Sequence, residues 1–160
     1  MIREGLTINI SIIKAAPEHT EEISRICSIG WRQTVQGVYD EEYQAKNVEH
    51  WYNHERVLED IVQGAYTHVA LVDGEVAGTI GGVMTGPSVS EIFVFYVDEN
   101  YRYQGIGARL LEAFTMEHVE KGAREQYVSV EEGNELGIPF YKARGFRQLD
   151  QKGRYLRRIG

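Results

Sequence analysis

EIFVFYVDENYRYQGIGARL, residues 91–110, reads as a strand, a glycine loop and the opening of a helix. From Glu91 to Val97, alternation puts Ile92, Val94 and Tyr96 on one face and Phe93, Phe95 and Val97 on the other, so both faces are expected to be buried. A polar turn, Asp98 to Asn100, leads into Arg102-x-x-Gly105-x-Gly107, after which Ile106, Leu110, Leu111 and Phe114 fall at helical spacing. The first turn of a helix has unpaired N–H groups and the positive end of the dipole, so it attracts a phosphate. Gly105 and Gly107 let such a ligand approach the backbone, and Arg102 adds a charge or its own amide. The pattern is that of an anion cradle.

Two common cradles do not fit. A dinucleotide fold needs three glycines after its first strand and an acidic residue about 20 positions later. A nucleoside-triphosphate loop needs Gly-Lys-Ser/Thr, whereas Ala108 follows Gly107. The stretch instead resembles motif A of the Gcn5-related N-acetyltransferases (GNAT), in which Arg/Gln-x-x-Gly-x-Gly/Ala holds the pyrophosphate of acetyl-coenzyme A. Glu91-Ile92, Phe95-Tyr96-Val97 and Tyr101-Arg102 stand where that family commonly has Glu-Ile, Leu-Tyr-Val and Tyr-Arg. A second stretch, YVSVEEGNELGIPFYKARGF at residues 127–146, resembles motif B: a strand, Asn134, then Phe140-Tyr141 and Gly145-Phe146. The two lie in the family's order and spacing.

Upstream, Thr7 to Ala15 alternates as a first strand, and Pro17 ends it. Thr20 is the expected N-cap of a helix whose Ile23, Ile26 and Cys27 share a face. Asp40 caps a second helix. His50 and His54, four apart and expected on one helical face, lack the glutamate and third ligand of a zinc site, so no metal is expected. Val57, Leu58, Ile61 and Val62 form an apolar helical face ended by Gly64. Tyr66 to Val72 and Glu75 to Met84 make a hairpin about Asp73-Gly74, with Gly78, Gly81 and Gly82 marking a bulge or a close backbone approach. The chain ends in a hairpin of Phe146 to Leu149 and Arg154 to Ile159.

The expected fold class is α/β (α+β): a mixed six- to seven-stranded sheet with helices on both faces. It is a single domain, 1–160. A helix joins the strand at Glu91 to that at Tyr127, so the two are parallel neighbours. With 42% apolar and 26% charged residues the composition is globular. No apolar run approaches the roughly 20 residues of a membrane helix, and no signal segment is evident. A cytoplasmic location is the default. A net charge of −7 argues against nucleic acid and suits a cationic substrate, although it also serves solubility. Cys27 is the only cysteine, so no intrachain disulfide forms. A homodimer is an open option.

The resemblance implies an N-acetyltransferase with acetyl-CoA as cosubstrate and a primary amine as acceptor, reacting directly in a ternary complex. An alternative is an acyl-CoA-binding sensor module without transfer, and another is an enzyme using a longer acyl group. An ammonium group cannot attack a thioester, so a base is needed; by resemblance Glu91 removes the proton directly or through water. Otherwise Glu91 is a strand-end carboxylate that closes a hydrogen bond. Tyr141 resembles the family's general acid at the leaving thiolate. Phe95 and Val97 are implied to bind the pantetheine amides, and Arg102, Tyr103, Gln104, Gly105, Ile106, Gly107 and Ala108 to cradle the pyrophosphate. Asn134 touches the cofactor arm or steadies Tyr141. Trp31, Tyr39 and Tyr43 line the acceptor site, or Trp31 simply closes the core beneath the first helix. Glu131, Glu132 and Glu135 form an acidic rim or a solvated face.

Overall fold

The computed structural model describes residues 9–131, 134 and 136–160. Thr7 and Ile8 of the expected first strand, and Glu132 and Glu135 of the acidic cluster, lie outside the described residues. One sheet of seven strands forms, in the order β1-β2-β3-β4-β5-β7-β6. The strands are β1 (Ile10–Lys14), β2 (His68–Val72), β3 (Glu75–Gly86), β4 (Val89–Val97), β5 (Glu125–Ser129), β6 (Arg147–Gln148) and β7 (Arg154–Arg158). Among the described residues only β4 and β5 pair in parallel. Helix α4 (Ile106–Glu120) supplies the crossover that such a pair requires. Helices α1 (Thr20–Thr34), α2 (Glu41–Trp51) and α3 (His54–Val62) come before β2, and α5 (Gly137–Ala143) comes before β6.

Alternation along β2 builds two cores. Ala70 and Val72 pack with Leu110, Leu111 and Phe114 of α4, whereas Val69 packs on the other face with Ile23, Ile26 and Cys27 of α1 and Val57 and Ile61 of α3. Phe114 has no exposed surface, and burial of a side chain of that size stabilises by roughly 1.5–3 kcal/mol. Burial also pushes the Cys27 thiol up to about 12, so it is an inert core group.

The β2–β3 hairpin turns at Asp73 (φ 50°) and Gly74 (φ 87°), the two positive φ values of a type I′ turn. The glycines of β3 act on β4. Gly81 pairs with Val94 and Gly82 with Ile92, which leaves Phe93 as an extra residue, a β-bulge. A Cβ on Gly82 would run into the Glu91 carbonyl oxygen, so the bulge depends on glycine there. The bulge breaks the expected alternation. Ile92 shares the α4-side core with Phe95 and Val97, Val94 and Tyr96 face the other core, and Phe93 is 58% exposed rather than buried.

Three local expectations are corrected. His19, not Thr20, holds the N-cap position of α1; a 3-10 turn over Pro17–His19 precedes the helix, and the Thr20 hydroxyl donates to the Pro17 carbonyl at 2.6 Å. His50 and His54 do not share a helix, because the Asn53 side chain accepts from the Arg56 amide at 2.8 Å and starts α3 afresh. On α3 only Val57 and Ile61 turn inward, one helical turn apart, while Leu58 and Val62 are exposed. Asp40 does cap α2, accepting from the Tyr43 amide at 2.8 Å.

His118 on α4 is buried, with its Nδ1 2.7 Å from the Ser90 hydroxyl of β4. Burial, reinforced by Lys121, holds its pKa below the ordinary 6.5; burial and Lys14 do the same for His68. The fold therefore keeps both rings neutral while the unfolded chain takes up protons below about pH 6.5. Stability is fully present above that pH and is lost as the pH falls below it. Urea midpoints at pH 7.5 and 5.5 check this: a lower midpoint at pH 5.5 is expected, and His118→Asn narrows the difference.

Candidate active site

The glycine loop begins with the Asp98 side chain accepting from the Asn100 amide at 2.9 Å, which sets a 3-10 turn over Glu99–Tyr101. The chain then passes through Tyr103 at φ 65° and Gly105 at φ 80°, the latter being the N-cap of α4. These left-handed positions turn the chain sharply, so that the helix opens at Ile106 with its first amides, at residues 106–108, free of intrahelical partners. Tyr103 is 93% exposed; a non-glycine residue held there stores roughly 1–3 kcal/mol of backbone strain. The Ile106 side chain is buried in the core, which anchors the loop.

Along the rest of β4 the sheet opens. Pairing with β5 covers only Val89 to Ile92 against Glu125 to Val128. Beyond Ile92, the β5-facing edge of β4 has no strand partner among the described residues, and a cleft of about 690 Å³ is lined there by Phe95 to Val97. It runs from Arg102, Tyr103 and Gly105 to Ala108, past Phe95, Tyr96 and Val97, to Asn134 and Tyr141. A second, smaller cavity of about 70 Å³ lies against Phe93, Val128 to Glu131 and Thr34. Both are lined by Thr34, Phe95, Tyr96, Asn134 and Tyr141, so the two meet there.

Tyr141 comes from α5. Its ring packs against Phe146 at 5.2 Å, Phe140 at 5.5 Å and Phe95 at 6.2 Å between centroids. It is 7% exposed, and burial alone pushes its hydroxyl well above the ordinary tyrosine range. The phenol is therefore neutral and carries a proton that it can donate. Asn134 sits at the start of α5, where its side chain accepts from the Gly137 amide at 2.7 Å.

Of the other expected residues, Arg102 lines the cleft and several do not. The Arg102 guanidinium donates to Gln33 of α1 at 2.8 Å, and Gln33 donates in turn to Glu99 at 2.9 Å; Arg102 thus ties α1 to the loop while still lining the cleft. Gln104 borders neither cavity, and nor does Glu91. The Glu91 carboxylate lies on the part of β4 still paired to β5. There Arg154 donates to its two oxygens at 3.3 and 3.4 Å while lying 4.7 Å over the Tyr127 ring. Trp31, Tyr39 and Tyr43 form a cluster with centroids 6.4, 6.4 and 4.6 Å apart, which also borders neither cavity directly. Trp31 is buried, whereas Tyr39 and Tyr43 are exposed. The Glu131 carboxylate, which lines the smaller cavity, pushes the Tyr39 hydroxyl upward in pKa.

Gln33, Thr34 and Gly30 line the cleft from α1, and Leu136, Phe140 and Arg144 from around α5. Sequence reasoning passed over them. Gly30 offered a signal: a Cβ there would press into the Tyr96 ring, so α1 approaches β4 closely because of it.

The chain belongs to the acetyltransferase (GNAT) family, whose model matches residues 23–146. It is similar to the spermidine N(1)-acetyltransferase of Thermoplasma acidophilum, at 27% identity over 150 residues covering 91% of this chain and 93% of that protein. In fold it is similar to the PaiA N-acetyltransferase of Thermoplasma acidophilum solved in complex with coenzyme A, with a TM-score of 0.85, 24% identity, and 94% and 99% of the two chains covered. A GNAT-family acetyltransferase from Staphylococcus aureus has a TM-score of 0.73 at 19% identity, covering 95% of this chain and all of that one (100%).

Proposed function

We propose that the chain transfers an acetyl group from acetyl-coenzyme A to a primary amine by direct attack in a ternary complex, and that the acceptor carries a second cationic centre, as a polyamine does. The meeting of two cavities at Tyr141 carries this reading: the larger reaches it from the anion cradle, the smaller from Glu131. A pyrophosphate suits the free amides of residues 106–108 and Arg102. A flexible amide-bearing arm suits the unpartnered edge of β4 at Phe95 and Val97. Bound there, acetyl-coenzyme A would supply a thioester that the acceptor attacks as a neutral amine once its ammonium group has given a proton to solvent at the smaller cavity.

The chain's own residues do the rest. Backbone N–H groups on the open edge of β4 offer donors for developing negative charge on oxygen. Tyr141 holds a proton for the departing sulfur. Glu131 attracts the acceptor's ammonium group to the smaller mouth. The exposed Tyr39 and Tyr43 rings offer their faces to a second ammonium. The name of the Thermoplasma relative, a spermidine N(1)-acetyltransferase, supports the same substrate class.

Thiol release from acetyl-coenzyme A with spermidine, aminoglycosides, amino acids and peptide N-termini tests the reading. Release that saturates at the lowest concentration with spermidine is expected. Calorimetric binding of acetyl-coenzyme A with no release from any of these amines would remove transfer from consideration.

Glu91 has a supporting part in this scheme. Its two carboxylate oxygens are engaged by Arg154 and border neither cavity, and the pair serves to pin β4, β5 and β7 together. Glu91→Gln is accordingly expected to lower the rate by a similar factor at every pH from 6.5 to 9.5. A loss confined to neutral pH, recovering where the amine deprotonates unaided, would restore Glu91 as the base.

A further inference from the structure

Helix α5 has seven residues, too few to be stable alone, so its placement depends on tertiary anchors. Asn134 holds its start. Its end is held from β7: Arg157 donates through one terminal nitrogen to the Arg144 carbonyl, at the C-cap, at 3.0 Å. The same guanidinium donates to Gln126 of β5 at 2.9 Å and to Thr115 of α4 at 3.1 Å, and it lies 4.7 Å over the Phe146 ring. That ring is the one packed against Tyr141.

The group is unusual for a stabilising device. Arg157 is half-buried, and among the described residues no carboxylate lies within ion-pair distance of it. Burial lowers its pKa, with Arg144 adding to the effect. A partly desolvated cation held by neutral acceptors contributes less to stability than an apolar side chain of the same volume often does. What it supplies is direction. A guanidinium only donates, so the oxygen of the fully buried Gln126 must face it. The Gln126 nitrogen then bonds Thr115 at 3.0 Å and Ser90 at 3.3 Å, and Ser90 reaches His118. The end of α5 is thus fixed against α4, β4, β5 and β7 by one directional network.

We propose that Arg157 is a positioning residue for transfer, fixing the end of α5 through the Arg144 carbonyl and Phe146 and thereby the place of the Tyr141 hydroxyl where the two cavities meet. The proposal rests on Tyr141 acting as the proton donor.

A double-mutant cycle separates the two claims. Arg157→Met keeps most of the apolar stem but removes the donors. It is expected to lower kcat for acetyl transfer roughly tenfold, as small misplacements of reacting groups do, while the calorimetric Kd for coenzyme A changes less than about twofold. In a Tyr141→Phe background the same substitution is expected to change kcat less than about twofold, because the hydroxyl it positions is gone. Arg157→Lys, which retains charge but cannot reach three acceptors, is expected to repeat the pattern with a smaller loss, and it serves if Arg157→Met does not fold. Equal losses in the two backgrounds would overturn the positioning role. A Tyr141→Phe protein as fast as the parent would overturn it too, by removing the donor on which it rests.

Discussion

Gly107→Glu is expected to remove coenzyme A binding and to leave the fold intact. Gly107 is the second residue of α4, with the first-turn amides around it and the Phe140 ring 3.3 Å from where a Cβ would sit. A glutamate side chain there has to extend into the cleft, towards the place where the pyrophosphate binds in the proposed complex. Two like charges about 4 Å apart at an effective dielectric constant of 20 repel by about 4 kcal/mol, close to a thousandfold in affinity. The free protein is affected in the opposite direction. An acidic residue in the first turn complements the helix dipole, and replacing glycine there adds helix propensity of up to roughly 1 kcal/mol. The thermal midpoint of the unliganded variant is therefore expected to match or exceed that of the parent, while calorimetry finds no binding of acetyl-coenzyme A. Gly107→Ala, which adds a Cβ and no charge, separates the two effects and should weaken binding by a smaller factor. Parental affinity in Gly107→Glu would take away the cradle, and with it the assignment of the long cleft to the coenzyme.

What the sequence disclosed and what it withheld divide along the range of the forces involved. Strand, loop and helix at 91–110 were legible because each is set locally, by alternation, by glycine at a left-handed position and by 3.6-residue periodicity. The Asp73-Gly74 hairpin and the Asp40 cap were legible for the same reason. The Phe93 bulge was not. It depends on Gly82, on a different strand, letting the Glu91 carbonyl approach, so alternation within β4 gave the wrong partners for Val94 and Phe95. The two histidines at 50 and 54 misled for a local reason: Asn53 was a cap signal inside what read as one continuous helix.

The candidate site shows the same division. Tyr141 and the cradle positions follow from the resemblance to the family's two motifs, and the cleft is lined by Tyr141 and every cradle position except Gln104. The engagement of Glu91 by Arg154, 63 positions away, and of Arg102 by Gln33, 69 positions away, lies beyond any local pattern. Both pairings change what the charged group can do. Arg102 couples α1, which borders the smaller cavity through Thr34, to the loop that would hold the coenzyme phosphates.

Tyr141→Phe is expected to slow turnover roughly 10- to 100-fold at saturating substrates while coenzyme A affinity changes less than about twofold. The phenylalanine ring keeps the packing against Phe95, Phe140 and Phe146 and loses only the hydroxyl, so the binding surface is nearly unaltered and the fold is undisturbed. General acid catalysis contributes typically 10²–10⁴-fold; a thiolate leaves more readily than an amine or alkoxide, because a thiol has a pKa near 8.5, and the loss should fall at the low end of that range. The burial that raises the phenol's pKa also predicts the pH profile. A group neutral throughout pH 6 to 10 donates its proton equally well across that range, so the parent-to-variant rate ratio should be flat there. A ratio that declined above pH 9 would mean that Tyr141 ionises within the working range. An unchanged rate at every pH would reduce Tyr141 to a packing residue of the α4-side core and leave the departing sulfur to take its proton from water.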